Sequence, residues 1–313
     1  MDYTTLGRTG LKVSVMGLGG GGHSRLGRQT GRTEEQSTTI VQRALELGIN
    51  FIDTAEAYGT EAIVGQALRG RRREEVVLST KKTMHHQGTL VTTDEVRRGL
   101  EDSLRRLGVD HIEIYHLHGV SADHYDYARE QLVPVLRQMQ EQGKLRFLGI
   151  TEAFGRDTAH RMLARAVLDD CWDVVMVGFN ILNQSARERV LAHTQRQGIG
   201  VLDMFAVRTA LSQPAKLRQI IAELSQQGLI KRDAVDEDAP LGFLVRQDGA
   251  HSLVDAAYRF CRAEPGVHVV LSGTGNVQHL EENVASILRP PLPASDRRRL
   301  MEIFAGVDTV SGQ

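Results

Sequence analysis

The sequence predicts an α/β protein, a single-domain (β/α)8 TIM barrel, and three observations predict it. Short apolar, β-branched segments recur near residues 13, 50, 76, 112, 147, 174, 200 and 268. Longer segments with apolar residues at helical spacing separate them, and one more follows the last. No linker and no change of composition divides the chain. Regular alternation requires parallel strands joined by right-handed crossovers, and eight such units close on themselves.

The first strand spans Leu11 to Leu18 and runs into "VMGLGGGGHSRLG" at residues 15–27. Gly17, Gly19 and Gly22 have the G-x-G-x-x-G spacing of a dinucleotide-binding turn. That turn needs a helix opening on its third glycine. The polar segment "HSRLGRQTGR" stands there instead, and the first helix opens at "TEEQ". Thr33 and Gln36 are its N-cap and N3, a capping box. The glycines are therefore read as places where backbone comes close to a ligand or another segment.

The first helix ends in "ALELGI", where Gly48 suits the left-handed residue after a last turn. "NFIDT" and "EVVLSTK" are the second and third strands, followed by the helix "TDEVRRGLEDSLRRLG". "HIEIYHLH" is the fourth strand, with a helix from Tyr127 to Glu141. "LRFLGIT" is the fifth, with a helix from Arg156 to Leu168. "WDVVMVGF" and "GIGVLDMF" are the sixth and seventh, separated by a helix from Ala186 to Gln197. "GVHVVLSG" is the eighth, before the helix "NVQHLEENVASIL". Residues 206–250 make one oversized connection, with an extra helical pattern, "AKLRQIIAELSQQGL", and an acidic patch, "DAVDEDAP". This excess is read as a long loop over the barrel mouth, ahead of a helix in "SLVDAAYRFCRAEPG".

Bulk properties narrow the function. A net charge of −1 gives no electrostatic case for nucleic acid or an anionic membrane. No apolar run approaches the ~18 residues of a membrane span, and "MDYTTLGRTG" has no apolar signal region. Cys171 and Cys261 are too few for a disulfide framework or a cysteine-based zinc site. A cytoplasmic enzyme or binding protein acting on a small molecule is expected.

In such a barrel the site lies at the C-terminal strand ends. Strand two ends in Asp53, with Tyr58 five residues on, strand three in Lys81 and strand four in His118. Strand alternation turns only one of Lys81 and Lys82 inward, and Lys81 has the register of Asp53. A tyrosine with pKa near 10 exchanges protons poorly at neutral pH, and a nearby ammonium favours its phenolate. A carboxylate would hold that ammonium, and the imidazole would hydrogen-bond a substrate oxygen. The set suits proton transfer to a carbonyl. Singly, each residue also reads as an ordinary strand end. "LSGTGN", with Ser272, Gly273, Thr274, Gly275 and Asn276, leads into a helix whose N-terminus suits a cofactor phosphate, although a plain glycine-rich turn reads the same way.

These residues resemble the aldo-keto reductases, NAD(P)H-dependent carbonyl reductases built on this barrel, over nearly the whole chain. "TLGRTGLKVSVMGLGG" is similar to their N-terminal β-hairpin and first strand, and "FIDTAEAYG" to their D-T-A-x-x-Y-G motif. "LSTK", "IYHLH" and "LEEN" follow in the family's order. The resemblance implies that Asp53, Tyr58, Lys81 and His118 are the catalytic tetrad, with Tyr58 the general acid. It implies an oxidoreductase that interconverts an aldehyde, ketone or sugar with its alcohol by hydride transfer. It sets Gly19 and Gly20 near the cofactor, and Glu282 and Asn283 at the adenine. Thr151 and Glu152 stand where the family has Ser-Asn, Met176 where it has glutamine, and Met204 or Phe205 near its stacking aromatic. Gly273 and Thr274 replace Lys-Ser, and His279 replaces arginine, so the basic clamp for a 2′-phosphate is thin. NADP(H) is the family cofactor, and use of NAD(H) as well is expected from this clamp.

Two other classes have sequence support. His116 and His118 share a strand face as an H-x-H metal pair would, but strands five and six add Thr151 and Met176 to Val177 in place of further ligands. A nucleotide-binding regulator without turnover is the other, against which all four tetrad residues are present. Loops after strands one, three and four carry His23, Ser24, Arg25, His85, His86, Tyr125 and Tyr127. This polar rim leans towards sugars or other hydroxylated carbonyls, with His23, His85, Tyr58 and His118 as substrate contacts. Ordinary solvated loops would look the same.

Overall fold

The chain opens in a hairpin of β1 (Tyr3–Thr5) and β2 (Lys12–Ser14), antiparallel with Tyr3 opposite Ser14. The structure, a computed structural model, describes residues 1–86 and 88–313. The expected first strand, Leu11 to Leu18, is thus two strands divided at Val15. Asn50 accounts for the break: its Oδ1 accepts the Ser14 N–H at 2.7 Å, and the Ser14 hydroxyl turns back onto the Met16 carbonyl at 2.7 Å. The chain then enters the barrel as β3 (Met16–Gly19).

Two-residue strands β6 (His85–His86) and β7 (Thr89–Leu90) form a small hairpin of their own. The other barrel strands are β4 (Phe51–Asp53), β5 (Val77–Thr83), β8 (Ile112–Val120), β9 (Leu145–Glu152), β10 (Val174–Gly178), β11 (Gly200–Met204) and β12 (Val269–Ser272). With β3 they close in the order β3-β4-β5-β8-β9-β10-β11-β12, each parallel to its neighbours, so no barrel strand has a free edge.

Helices clothe the barrel. Capping boxes at Thr33 with Gln36 and Thr92 with Glu95 start the helices Glu34–Glu46 and Thr93–Leu107. The helical path after β8 begins at Tyr125 and continues through a π turn, Ala128–Leu132, to Glu141. The helix expected at Arg156 to Leu168 is shorter, Arg161–Ala166. Asp157 accepts the Met162 N–H at 2.9 Å, and His160 is left-handed with φ 57°, so a turn occupies the first residues. The long connection after β11 is present, and part of it is helical. It carries the helix Pro214–Gln226, which buries Leu217, Ile220, Ile221 and Leu224. Only its start, including Val207, Arg208, Thr209, Ser212 and Gln213, reaches the cleft described below. A last helix, Ala294–Ile303, has no counterpart in the sequence reading.

The lower half of the barrel is filled with hydrocarbon. Phe51, Val77, Ile114, Val174, Met176, Leu202 and Val269 point inward and meet Leu6, Leu11 and Val13 of the hairpin. The hairpin turn docks through the Arg8 N–H on the Gly198 carbonyl at 2.5 Å. Gly200 leaves room for this plug: a Cβ there would lie 2.7 Å from Leu6 Cγ. A Gly200→Ala change should therefore cost about 1–3 kcal/mol by overpacking. Urea unfolding checks this, and an unchanged midpoint would mean the plug is loosely fitted.

Candidate active site

Alternation along β5 turns Ser79 and Lys81 to the interior, and register pairs Asp53 with Ser79 and Lys81 with His116. Lys81 is fully buried. Its ammonium donates to Asp53 Oδ2 at 2.6 Å and to the Thr54 carbonyl at 2.7 Å. The other Asp53 oxygen accepts the Ser79 hydroxyl at 2.7 Å. Such pairing is what permits a charge at this depth. Lys82 faces the other way and pairs with Glu56 at 3.0 Å.

Tyr58 stands on a short 3-10 turn, Glu56–Tyr58, closed by left-handed Gly59. Lys81 Nζ lies 5.0 Å from the centre of its ring. Its hydroxyl is 3.3 Å from His118 Nε2, and the two rings meet edge to face. Gly21 completes the slot, because a Cβ there would lie 2.6 Å from Tyr58 Cζ. The glycine run is thus a bare wall against a tyrosine.

Burial and the Lys81 ammonium push the His118 imidazole down to about 3, so it is neutral. The Tyr58 phenol departs from expectation. Burial raises its pKa and outweighs the opposing pull of Lys81, so the group holds its proton. Burial likewise pushes the Asp53 carboxyl up, against Lys81 and Ser79.

A cleft of about 1310 Å³ runs from Asp53 and Tyr58 to the turn after β12. Its lining includes Gly19, His23, Met204, Phe205, Gly273, Thr274, Gly275, Asn276, His279, Glu282 and Asn283 from the sequence reading. Met176 and Leu271 share its wall with Met204 and, from the β3 side, Ser24. Its length and glycine-lined end suit a dinucleotide. Among the described residues no three His, Cys, Asp or Glu side chains gather as a metal site would need. His116 is fully buried, and burial with the Lys81 charge holds its imidazole well below the ordinary range, so it is neutral.

Several expected contacts lie elsewhere. Glu152 faces away from the cleft: it accepts the Gly178 N–H at 2.8 Å and pairs with buried His160 at 3.0 Å. Thr151 is buried, its oxygen accepting the Gly119 N–H at 2.8 Å. Ser272 is also buried, between the Tyr258 hydroxyl and the Asn283 amide. The Gly20 N–H is committed to the Asp53 carbonyl at 2.6 Å. The Phe205 ring stacks on Phe154 and under Arg208, which leaves Met204 as the inward residue of β11.

The rim is thinner than expected. Tyr125 is buried and bonded to Asp169, and Tyr127 donates to the Val91 carbonyl. His85 is exposed and meets His124 edge to face. Arg25 has φ 45° in the loop after β3. The side chain of His86 is outside what is described. The strand-end reading missed Arg32, which lines the cleft from a loop, as does Arg208. It also missed His160, whose signal was a buried acid at position 152 in need of a partner.

The model of the aldo/keto reductase family matches residues 16–305. L-galactose dehydrogenase of Arabidopsis thaliana is 28% identical over 320 residues, 99% of this chain and 95% of that protein. Aldo-keto reductase YhdN of Bacillus subtilis (strain 168) is 29% identical over 215 residues, 64% of this chain and 61% of that protein. The holo form of aldo-keto reductase AKR11C1 from Bacillus halodurans superposes with a TM-score of 0.75, covering 99% of each chain at 23% identity, a likeness of fold. With the match spanning the barrel from its first strand to its last helix, the chain belongs to the aldo/keto reductase family.

Proposed function

We propose that this protein reduces a hydroxylated carbonyl compound, such as a sugar, with Tyr58 donating the proton, and catalyses the reverse oxidation. The observation that carries the reading is the Tyr58 hydroxyl, held 3.3 Å from neutral His118 and above the Lys81–Asp53 pair, at one end of a dinucleotide-sized cleft. Family membership already implies a carbonyl oxidoreductase of the NAD(P)H-dependent kind. A bound nicotinamide dinucleotide would supply the hydride, with Met176, Met204 and Leu271 along one end of its cleft and the turn after β12 at the other.

The residues divide the remaining work. Tyr58 is protonated at neutral pH, which is the form that reduction needs. As its proton passes to the carbonyl oxygen, the Lys81 ammonium stabilises the phenolate left behind. Asp53 and the Thr54 carbonyl keep that ammonium in place. With its proton on Nε2, neutral His118 donates a hydrogen bond that aligns the same oxygen. The substrate class follows from His23 and Ser24, which line the cleft with Tyr58, and from the likeness to L-galactose dehydrogenase. A panel of aldoses, simple aldehydes and steroid ketones tests it, and best turnover on steroids would overturn it.

Tyr58→Phe keeps the ring and removes the proton. Carbonyl reduction should fall ~10²–10⁴-fold with folding and nucleotide binding intact, and near-normal turnover would sink the assignment. The two lysines should separate cleanly. Lys81→Met leaves Asp53 buried without its cation, so activity is lost and stability falls by about 3–5 kcal/mol. Lys82→Met removes a peripheral pair and should stay active; the reverse pattern would shift the strand register by one residue.

The pH profile follows from the same environments. His118 stays neutral down to about 3, and Tyr58 loses its proton only above the ordinary phenol range. Steady-state reduction at saturating cofactor should therefore be level from about pH 5 to about pH 9 and decline beyond about pH 10. A step near neutrality that disappears in Tyr58→Phe would contradict this.

A further inference from the structure

We infer that Arg32, in the loop after β3, recognises the ribose 2′-phosphate of the cofactor and gives the protein a preference for NADPH; the inference rests on the nicotinamide-dependent reading above. The turn after β12 lacks the means to do this alone. Residues 273–276 contain no lysine or arginine. The Thr274 hydroxyl accepts the Asn276 N–H at 3.1 Å, and the Asn276 side chain caps the following helix at Gln278. Glu282 adds a carboxylate to the same wall, and a phosphate would meet it as a like charge.

The missing cation comes from across the cleft. Two glycines bring the loop after β3 onto the β12 turn: a Cβ on Gly275 would lie 2.6 Å from Gly27 Cα. Arg32 is folded onto the same glycine. Its N–H donates to the Gly27 carbonyl at 3.0 Å, and a Cβ on Gly27 would lie 2.5 Å from Arg32 Cδ. The stem of Arg32 is thus one backbone thickness from Gly275, and its side chain lines the cleft with Thr274, Asn276 and His279.

Among the described residues, the Arg32 guanidinium has no hydrogen bond or ion pair, although the side chain is only half exposed. Its neighbours are committed. Arg28 bonds the Arg32 carbonyl and faces Glu34, while Arg208 lies over the Phe205 ring and donates to Gln313. A guanidinium left free on a nucleotide-sized cleft fits a phosphate, which it can grip with two parallel hydrogen bonds.

Binding separates the possibilities without turnover. NADPH, NADH, 2′,5′-ADP and 5′-AMP are titrated calorimetrically into the full chain and into Arg32→Ala and Arg32→Lys, with thermal unfolding confirming that each variant is folded. The expected result is wild-type preference for NADPH over NADH of at least about tenfold. Arg32→Ala should lose at least about tenfold in affinity for NADPH and for 2′,5′-ADP, with NADH and 5′-AMP within about twofold of wild type. Arg32→Lys should recover part of the loss. Equal losses for NADPH and NADH would assign Arg32 to the shared pyrophosphate and overturn the inference, as would no loss for either. A wild-type chain that binds neither dinucleotide would overturn the nicotinamide-dependent reading as well.

Discussion

The Lys81–Asp53 ion pair is the constraint around which the upper barrel is arranged. An ammonium at zero exposure survives only where its partners are fixed before it arrives. Here they are Asp53 at the end of β4 and the Thr54 carbonyl after it, with Ser79 of the lysine's own strand holding the other Asp53 oxygen. Barrel closure sets all three within hydrogen-bond distance, so the fold and the charge depend on each other. Tyr58 and His118 are buried beside this pair. Burial and the same ammonium hold the imidazole neutral, while burial outweighs the ammonium at the phenol and keeps it protonated.

Space at the site is governed by residues that carry no side chain. Gly21 lets the Tyr58 ring lie flat against backbone, and Gly149 makes room for the His116 imidazole. Gly27 and Gly275 bring the loops after the first and last barrel strands into contact. An added carbon would collide with the Tyr58 ring at Gly21, with the His116 ring at Gly149 and with the Gly27 backbone at Gly275. The glycine-rich stretch that looks like a dinucleotide fingerprint opens no helix on its third glycine; it packs against Tyr58, and Gly19, Gly21 and Gly22 also line the cleft.

Much of this architecture was legible in the sequence because it follows from local periodicity. A period of two separates Lys81 from Lys82, and the capping box at Thr33 starts its helix as read. The turn after β12 and its helix are also where the pattern puts them. What escaped was settled by long-range partners. Glu152 looks like a lumen residue until His160, eight residues on, takes its carboxylate to the outside of the barrel. Ser272 disappears between Tyr258 and Asn283. The direction of the Tyr58 shift is a contest between burial and one positive charge, and sequence reveals the charge but not the depth. Arg32 sits on a loop, where no period fixes the direction of a side chain.

The hairpin plug has a consequence for proton traffic. Leu6, Leu11 and Val13 seal the barrel floor against Phe51, Ile114 and Leu202, so water has no route to Tyr58 from beneath. Under the proposed function, a proton given up by the phenol is replaced from the mouth, through the opening that also admits the carbonyl compound. On the proposed reading, reprotonation of Tyr58 and product departure share one doorway.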